Sequence, residues 1–263
     1  MLKKLLKYDL KNKIKFLLIF YILSIFFALL TRMFFNIENS FIMNVIGQIC
    51  SGVTISMMFN IIINNLMRLW VNFKQNLYGD ESYLTHTLPI EKETLYLSKI
   101  ISSIITTFTS IIVIALTIFI AYYSKENLET VKNMLFPLAD AYNSTVMLIL
   151  IVFFFILFLE FMNIIQCGFT GIILGHKRNN NKTLFSVLFG FVTFTVSQLI
   201  VLITLFIVAL FNKDIMNLIF TNEMISIDST KIIIYMSIIM YTVVLIASSF
   251  INVKLFEKGV NVD

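Results

Sequence analysis

Glu160 is the residue whose type and setting most favour chemistry. It is a carboxylate inside an apolar run, with Asn163 one helical turn later and Cys167 another turn on. A charge inside a membrane is costly unless it is paired, hydrated or neutralised, which makes Glu160 a candidate for transport or catalysis. The alternative is a protonated side chain that joins two helices by hydrogen bonds. Its possible partners are Asn60, Asn64 and Gln198.

A second polar pattern lies in another apolar segment. Ser56, Asn60, Asn64 and Arg68 recur every four residues, which places them on one stripe of a helix. Such a stripe cannot face lipid cheaply, so we expect it to face another helix or a wet cavity. It would line a translocation path or a subunit interface, or simply join helices of a bundle. Asn163 and Glu160 are candidates for the same path or interface.

Other chemistry-bearing motifs are missing from the sequence. It contains no GxxxxGK, HExxH or GxSxG, and only 8 glycines. His86 and His176 lie in polar loops, and Cys50 and Cys167 lie in apolar segments without CxxC spacing. We therefore expect no catalytic residues, metal or cofactor on this chain. A net charge of +5 needs no nucleic acid to explain it, because basic residues gather beside the apolar segments.

The composition is that of a membrane protein. The 263 residues are 59% hydrophobic and 13% charged, whereas soluble domains are about 45–50% apolar and about 25% charged. Six segments reach the roughly 20 apolar residues that cross a bilayer. The predicted fold is one all-α membrane domain over 1–263. Its spans are approximately 14–35, 43–70, 100–122, 144–172, 185–211 and 231–251.

The first 15 residues predict a basic amphipathic helix at the membrane interface. One face carries leucines and an isoleucine, and another carries Lys3, Lys4, Lys7 and Lys11. The alternative is a plain run of positive charge beside the first span. The apolar run at 14–35 is too long for a signal peptide and no cleavage motif follows, so we expect a retained span.

The distribution of basic residues predicts the orientation. Of the 20 Lys and Arg residues, 15 fall in the two termini and the segments 68–99 and 175–184, and five fall in the other connections. Both termini are therefore predicted to be cytoplasmic. The predicted external loops are 36–42, 123–143 and 212–230. The last of them is either a short helix in the outer leaflet or a surface loop.

Small and hydroxyl residues mark two of the spans. The third begins with Ser and Thr residues that can bond to their own helix carbonyls, so a pore role there is weakly indicated. In the fourth, Gly171 and Gly175 form a small-xxx-small pair that predicts close helix packing.

The loop 74–99, KQNLYGDESYLTHTLPIEKETLYLSK, is the most patterned polar segment. Residues 78–86 predict a short helix, and Pro89 permits a new helix from about Ile90 with acidic residues in its first turn. That helix would continue into the third span. The exposed face of the short helix would offer aromatic and apolar side chains to a protein partner. These side chains are Tyr78, Tyr83, Leu84 and His86.

The run YGDESYLTHTLPIEKETLYLSKI resembles the cytoplasmic loop of ABC type-2 permeases of Gram-positive bacteria. There a stretch of the form (F/Y)GDE-x-Y-L-x-(H)TLP precedes the third span, and six spans, cytoplasmic termini and a basic N-terminal helix also match. In that family the loop is a coupling helix seated in a groove of a separate ATP-binding subunit. The resemblance implies coupling contacts at Tyr78, Gly79, Asp80, Glu81, Tyr83, Leu84 and His86.

The resemblance also implies the assembly and the activity. Two ATP-binding subunits carrying ATP and Mg would drive a pair of permease subunits, identical or paralogous, in a bacterial plasma membrane. The cargo would be an amphipathic compound such as an antimicrobial peptide or a lipid, exported or removed from the outer leaflet. Two other interpretations remain: a partner-free immunity or scaffold protein in the lipid bilayer, or an intramembrane enzyme built around Glu160.

Overall fold

The computed structural model describes residues 2–37, 40–221 and 227–258. The chain is 90% helical and contains no strand over these ranges. It is an all-α membrane protein. Its described helices are α1 Leu2–Phe35, α2 Phe41–Leu77, α3 Ser82–Thr87, α4 Lys92–Tyr122, α5 Lys125–Ala141, α6 Val146–Gly175, α7 Lys182–Phe211, α8 Lys213–Thr221 and α9 Ile227–Glu257.

Six of these helices are long and apolar enough to cross a membrane, and they confirm the six predicted spans. They are α1, α2, α4, α6, α7 and α9. Each extends past its predicted limits at one end or both, because flanking polar residues continue the helix, although α6 begins at Val146, two residues after its predicted start. The 37 residues of α2 reach about 55 Å at 1.5 Å per residue, well beyond about 30 Å of hydrocarbon.

The N-terminal segment is not a helix of its own. Residues 2–15 form the first turns of α1, which runs unbroken to Phe35. The sequence contains no Gly or Pro in this stretch that would bend the helix. Lys3, Lys4, Lys7 and Lys11 are exposed, as the amphipathic pattern predicts. The placement of this segment at the membrane interface stays a prediction.

The helices pack into two compact units, while a single domain over 1–263 stays a prediction. The first contains Met1–Gln75 and His86–Lys132. Here α1 packs along α4, with Leu17, Tyr21 and Ile61 in an apolar core. Hydroxyl groups of α4 bond back to carbonyls of their own helix, as predicted, and some also bond to α1. The Tyr21 and Ser110 hydroxyls, for example, lie 2.8 Å apart.

The second unit contains Asn76–Thr85 and Asn133–Asp263, and α6 lies between α7 and α9. The close approach predicted for the glycine pair is confirmed. A Cβ at Gly171 would come within 2.6 Å of the Gly190 Cα, and one at Gly175 within 2.6 Å of the Ser186 Cα. The backbones of α6 and α7 are therefore in direct contact at this level.

Several connections differ from their predicted form. The segment 123–143, predicted as a loop, holds α5, whose low apolar content hid its helical character. The segment 212–230 includes the short helix α8, whose place in the outer leaflet stays a prediction, while residues 222–226 lie outside the described ranges. Glu91 is the N-cap of α4 rather than part of its first turn, which contains Glu93.

Candidate functional site

The loop between α2 and α4 forms a short exposed helix. A turn precedes it, in which the Ser82 amide donates to the Gly79 carbonyl at 2.9 Å. This turn delays the helix to Ser82, four residues later than predicted. Tyr83 is 66% exposed and Leu84 75% exposed. These two side chains form the apolar tip of the loop, which we call the knob.

Charged and polar groups surround the knob. Asp80 and Glu81 are exposed, and His86 is half-buried. The Asn76 amide donates a hydrogen bond to the Glu81 carboxylate, which ties the loop to the last turn of α2. Apolar side chains with polar residues beside them are common at protein-binding surfaces.

Tyr78 is not on the exposed face, and that expectation is wrong. Its ring is 1% exposed. The ring centroid lies 4.5 Å from that of His176, at the end of α6, and 6.3 Å from that of Phe256 in α9. Sequence spacing could not reveal this, because these residues are distant along the chain. Tyr78 therefore anchors the loop to two spanning helices, and its part in partner contact stays a prediction.

Glu160 lies in a polar cluster between α6 and α7. Gln198 donates a hydrogen bond from Nε2 to Glu160 Oε1 at 2.9 Å. The Tyr241 hydroxyl of α9 lies close to both side chains. Of the three partners that the sequence allowed, the structure therefore selects Gln198. The cluster joins three helices.

After Glu160 in the chain, the polar residues of α6 form a series of hydrogen bonds to α7 and α9. Asn163 is fully buried and donates to Ser197 Oγ of α7 at 3.0 Å. Thr170 donates to Asn252 Oδ1 of α9 at 2.8 Å, and Asn252 donates to Gln166 Oε1 at 3.1 Å. Within this unit these groups bind one another, and Asn163 forms a contact between α6 and α7. Its part in a translocation path or subunit interface stays a prediction.

The polar stripe of α2 has a different setting. Ser56 and Asn60 are exposed, and Asn64 is half-exposed. Each bonds to a carbonyl of its own helix, and the Asn60 and Asn64 amides do so at 3.0 and 2.9 Å. Among the described residues, no other helix bonds to these three. Arg68 alone reaches α1, donating to Asn12 Oδ1 at 3.1 Å.

A buried charge cluster joins α1 to α4, and the sequence analysis did not predict it. Asp9 accepts from Lys13 Nζ at 3.1 Å and from Lys99 Nζ at 2.8 Å. Lys13 also donates to Ser102 Oγ at 2.6 Å. Lys13 is 1% exposed and Lys99 7% exposed. The available signal was Asp9, the one acidic residue of a basic segment, placed four residues before a lysine.

The described residues contain no group of three or more His, Cys, Asp or Glu side chains that could hold a metal ion. Comparison of the chain with models of protein families, with curated proteins and with solved structures gives no match. The resemblance to type-2 permeases therefore rests on residues 78–100, together with the layout of the spans.

Proposed function

We propose that this protein is the membrane subunit of an ATP-driven exporter, with ATP and Mg bound on two copies of a separate subunit. The cargo is an amphipathic compound, such as a toxic peptide or a lipid. The chain lies in a bacterial plasma membrane with both termini in the cytoplasm. It performs no catalysis itself and works beside a second permease subunit.

The observation that carries this proposal is the exposed knob, in a loop that the buried Tyr78 side chain holds against α6 and α9. Tyr83 and Leu84 are 66% and 75% exposed on a six-residue helix. A tyrosine held outward on a short helix is the kind of side chain that binding hot spots favour. The (F/Y)GDE-x-Y-L pattern that places them is the one that type-2 permeases seat in their ATP-binding subunit.

The anchoring of Tyr78 supplies a route for force. A push on the knob is passed to the ends of α6 and α9 through the buried ring. Pro89 and α4 follow directly in the chain, so the same push also reaches the third span. Rigid-body motion of packed helices is the ordinary form of such transitions. Closure of the ATP-binding subunits would thus rock the spans.

The experiment is co-purification of a phosphate-loop ATPase with the tagged full chain from its host cells. The variant Tyr83→Ala with Leu84→Asp should lower recovery of the ATPase by at least about tenfold, because hot-spot side chains contribute about 2 kcal/mol or more. Leu128→Asp is the matched control, since Leu128 is 50% exposed on α5, in the segment 123–143 that is predicted to be external.

The level of the permease in the membrane should be equal for both variants. Full recovery of an active ATPase complex with the double variant would contradict the proposal. Absence of any ATPase with the unchanged chain would favour the partner-free immunity or scaffold interpretation.

A further inference from the structure

The stripe of α2 also includes a glycine, four residues before its first polar residue. Gly52 is exposed and lies four residues before Ser56, so the face reads Gly52, Ser56, Asn60 and Asn64. A Cβ at Gly52 would meet no atom within 4 Å. Two small residues and two carboxamides thus share one uncovered face of a helix that crosses the membrane.

Elsewhere in this chain the same spacing is covered by a helix. Gly171 and Gly175 are also four residues apart, and the backbone of α7 lies directly against them at Ser186 and Gly190. Small residues at this spacing let two backbones approach closely. By this comparison, Gly52 and Ser56 have the surface of a helix contact without its second helix.

The carboxamides make an uncovered face costly. Asn60 and Asn64 each use one N–H on a carbonyl of their own helix. Among the described residues nothing bonds to their Oδ1 atoms or to their second N–H groups. Polar groups left without partners in hydrocarbon are strongly unfavourable. The flanking residues Ile55, Phe59 and Ile63 are exposed and apolar, so lipid suits the flanks but not the stripe.

We propose that a second copy of this chain covers the stripe, with the two α2 helices related by a two-fold axis along the membrane normal. A carboxamide both donates and accepts, so Asn60 and Asn64 can bond to the same residues of an identical helix. Gly52 and Ser56 allow the close approach that this requires. Rows of residues four apart favour a right-handed crossing near −40°.

Arg68 lies at the next position of the stripe, where like charges from the two copies could meet across the axis. Its guanidinium is instead turned to α1, donating to Asn12 Oδ1 at 3.1 Å and lying 5.0 Å from the Phe16 ring centroid. The charge thus lies aside from the contact.

This inference deepens the second-subunit part of the proposed function by naming an identical chain and one helix face. It rests on the stripe rather than on the knob. Loss of the ATPase in the co-purification therefore leaves the pairing unaffected, and absence of pairing leaves the ATPase contact unaffected.

Disulfide cross-linking of the full chain in membranes tests the pairing. Cys50→Ala and Cys167→Ser remove the two native thiols, and one cysteine is then introduced as Ser56→Cys or Asn60→Cys. Ile55→Cys is the control, because Ile55 is 45% exposed at the same depth but lies off the stripe. Mild oxidation should yield a homodimer from the two stripe variants and none from the control.

Association measured by energy transfer in liposomes of increasing lipid content gives an independent result. Gly52→Leu should lower the association constant by about tenfold or more, and Asn60→Leu with Asn64→Leu by about tenfold. Since a side chain at Gly52 meets open space in the single chain, the variant should fold normally. Ile55→Leu should leave association unchanged.

Three results would overturn the inference. One is a cross-linked product that contains a different protein. Another is no intermolecular product at all, including a bond within one chain. The third is equal products at Ile55 and on the stripe, together with unchanged association of Gly52→Leu.

Discussion

At the scale of single residues, asparagine side chains have different hydrogen-bond partners in different helices. Asn163 is buried and bonds across to α7, whereas Asn60 is exposed and bonds to its own helix. Both lie in apolar runs, and nothing in their neighbours distinguishes them. What differs is whether another helix passes in front of them. A buried asparagine therefore joins helices, and an exposed one indicates a missing contact.

The tightest residue-scale constraint is at Gly171. We expect Gly171→Ala to destabilise the protein by about 1–3 kcal/mol, because the added methyl meets backbone atoms of Ser186 and Gly190 that cannot move aside. Unfolding in mixed micelles measures the change in the free energy of unfolding.

Gly190→Ala is the matched control in the same contact. Its Cβ would meet atoms only at 3.7–3.9 Å, which is ordinary contact. Alanine is also a better helix former than glycine by about 1 kcal/mol. The control should therefore be neutral or stabilising, and equal losses for the two variants would show that the close approach is misplaced.

At the scale of elements, the Asp9 cluster joins the start of α1 to the start of α4. In the chain, helix α4 follows the loop that carries the knob. Two buried lysines share one carboxylate, with Ser102 as an additional partner. Removing the carboxylate would leave two positive charges close together and out of water.

We expect Asp9→Asn to lower the free energy of unfolding by about 3–5 kcal/mol, the usual cost of removing one partner from a buried ion pair. The same micelle unfolding measures it. Lys11→Gln is the control, since Lys11 is exposed on the same helix and should change stability little.

The double variant Asp9→Asn with Lys99→Met distinguishes charge from packing. Removing one stranded lysine should restore part of the lost stability, because less unpaired charge stays buried. If the losses in the free energy of unfolding from the two substitutions simply added, the cluster would stabilise the protein through packing and not through charge.

At the scale of the whole molecule, the charge asymmetry predicts the side on which each connection lies. We expect Glu81→Cys in a chain without native cysteines to react with an impermeant thiol reagent only after cells are opened. Glu129→Cys should react in intact cells, because 123–143 is predicted to be external. Both positions are exposed, so access within the protein is equal.

Labelling of Glu81→Cys in intact cells would show that the topology is the reverse of the predicted one. The loop could then not contact a cytoplasmic partner. Reaction at neither position in intact cells would also contradict the predicted external side. Neighbouring Ser82 is unsuitable for this measurement, because it is fully buried.

The sequence by itself determined the six spans, the glycine contact and the exposed pair Tyr83 and Leu84. These follow from composition and from spacing along one helix, which local chemistry decides. Only the tertiary structure decided that Tyr78 is buried, that Glu160 pairs with Gln198 and that Asp9 holds two lysines. Each of those depends on residues from separate helices. Spacing within one helix shows which side chains share a face but not what lies opposite, and what lies opposite determines whether a polar side chain is satisfied.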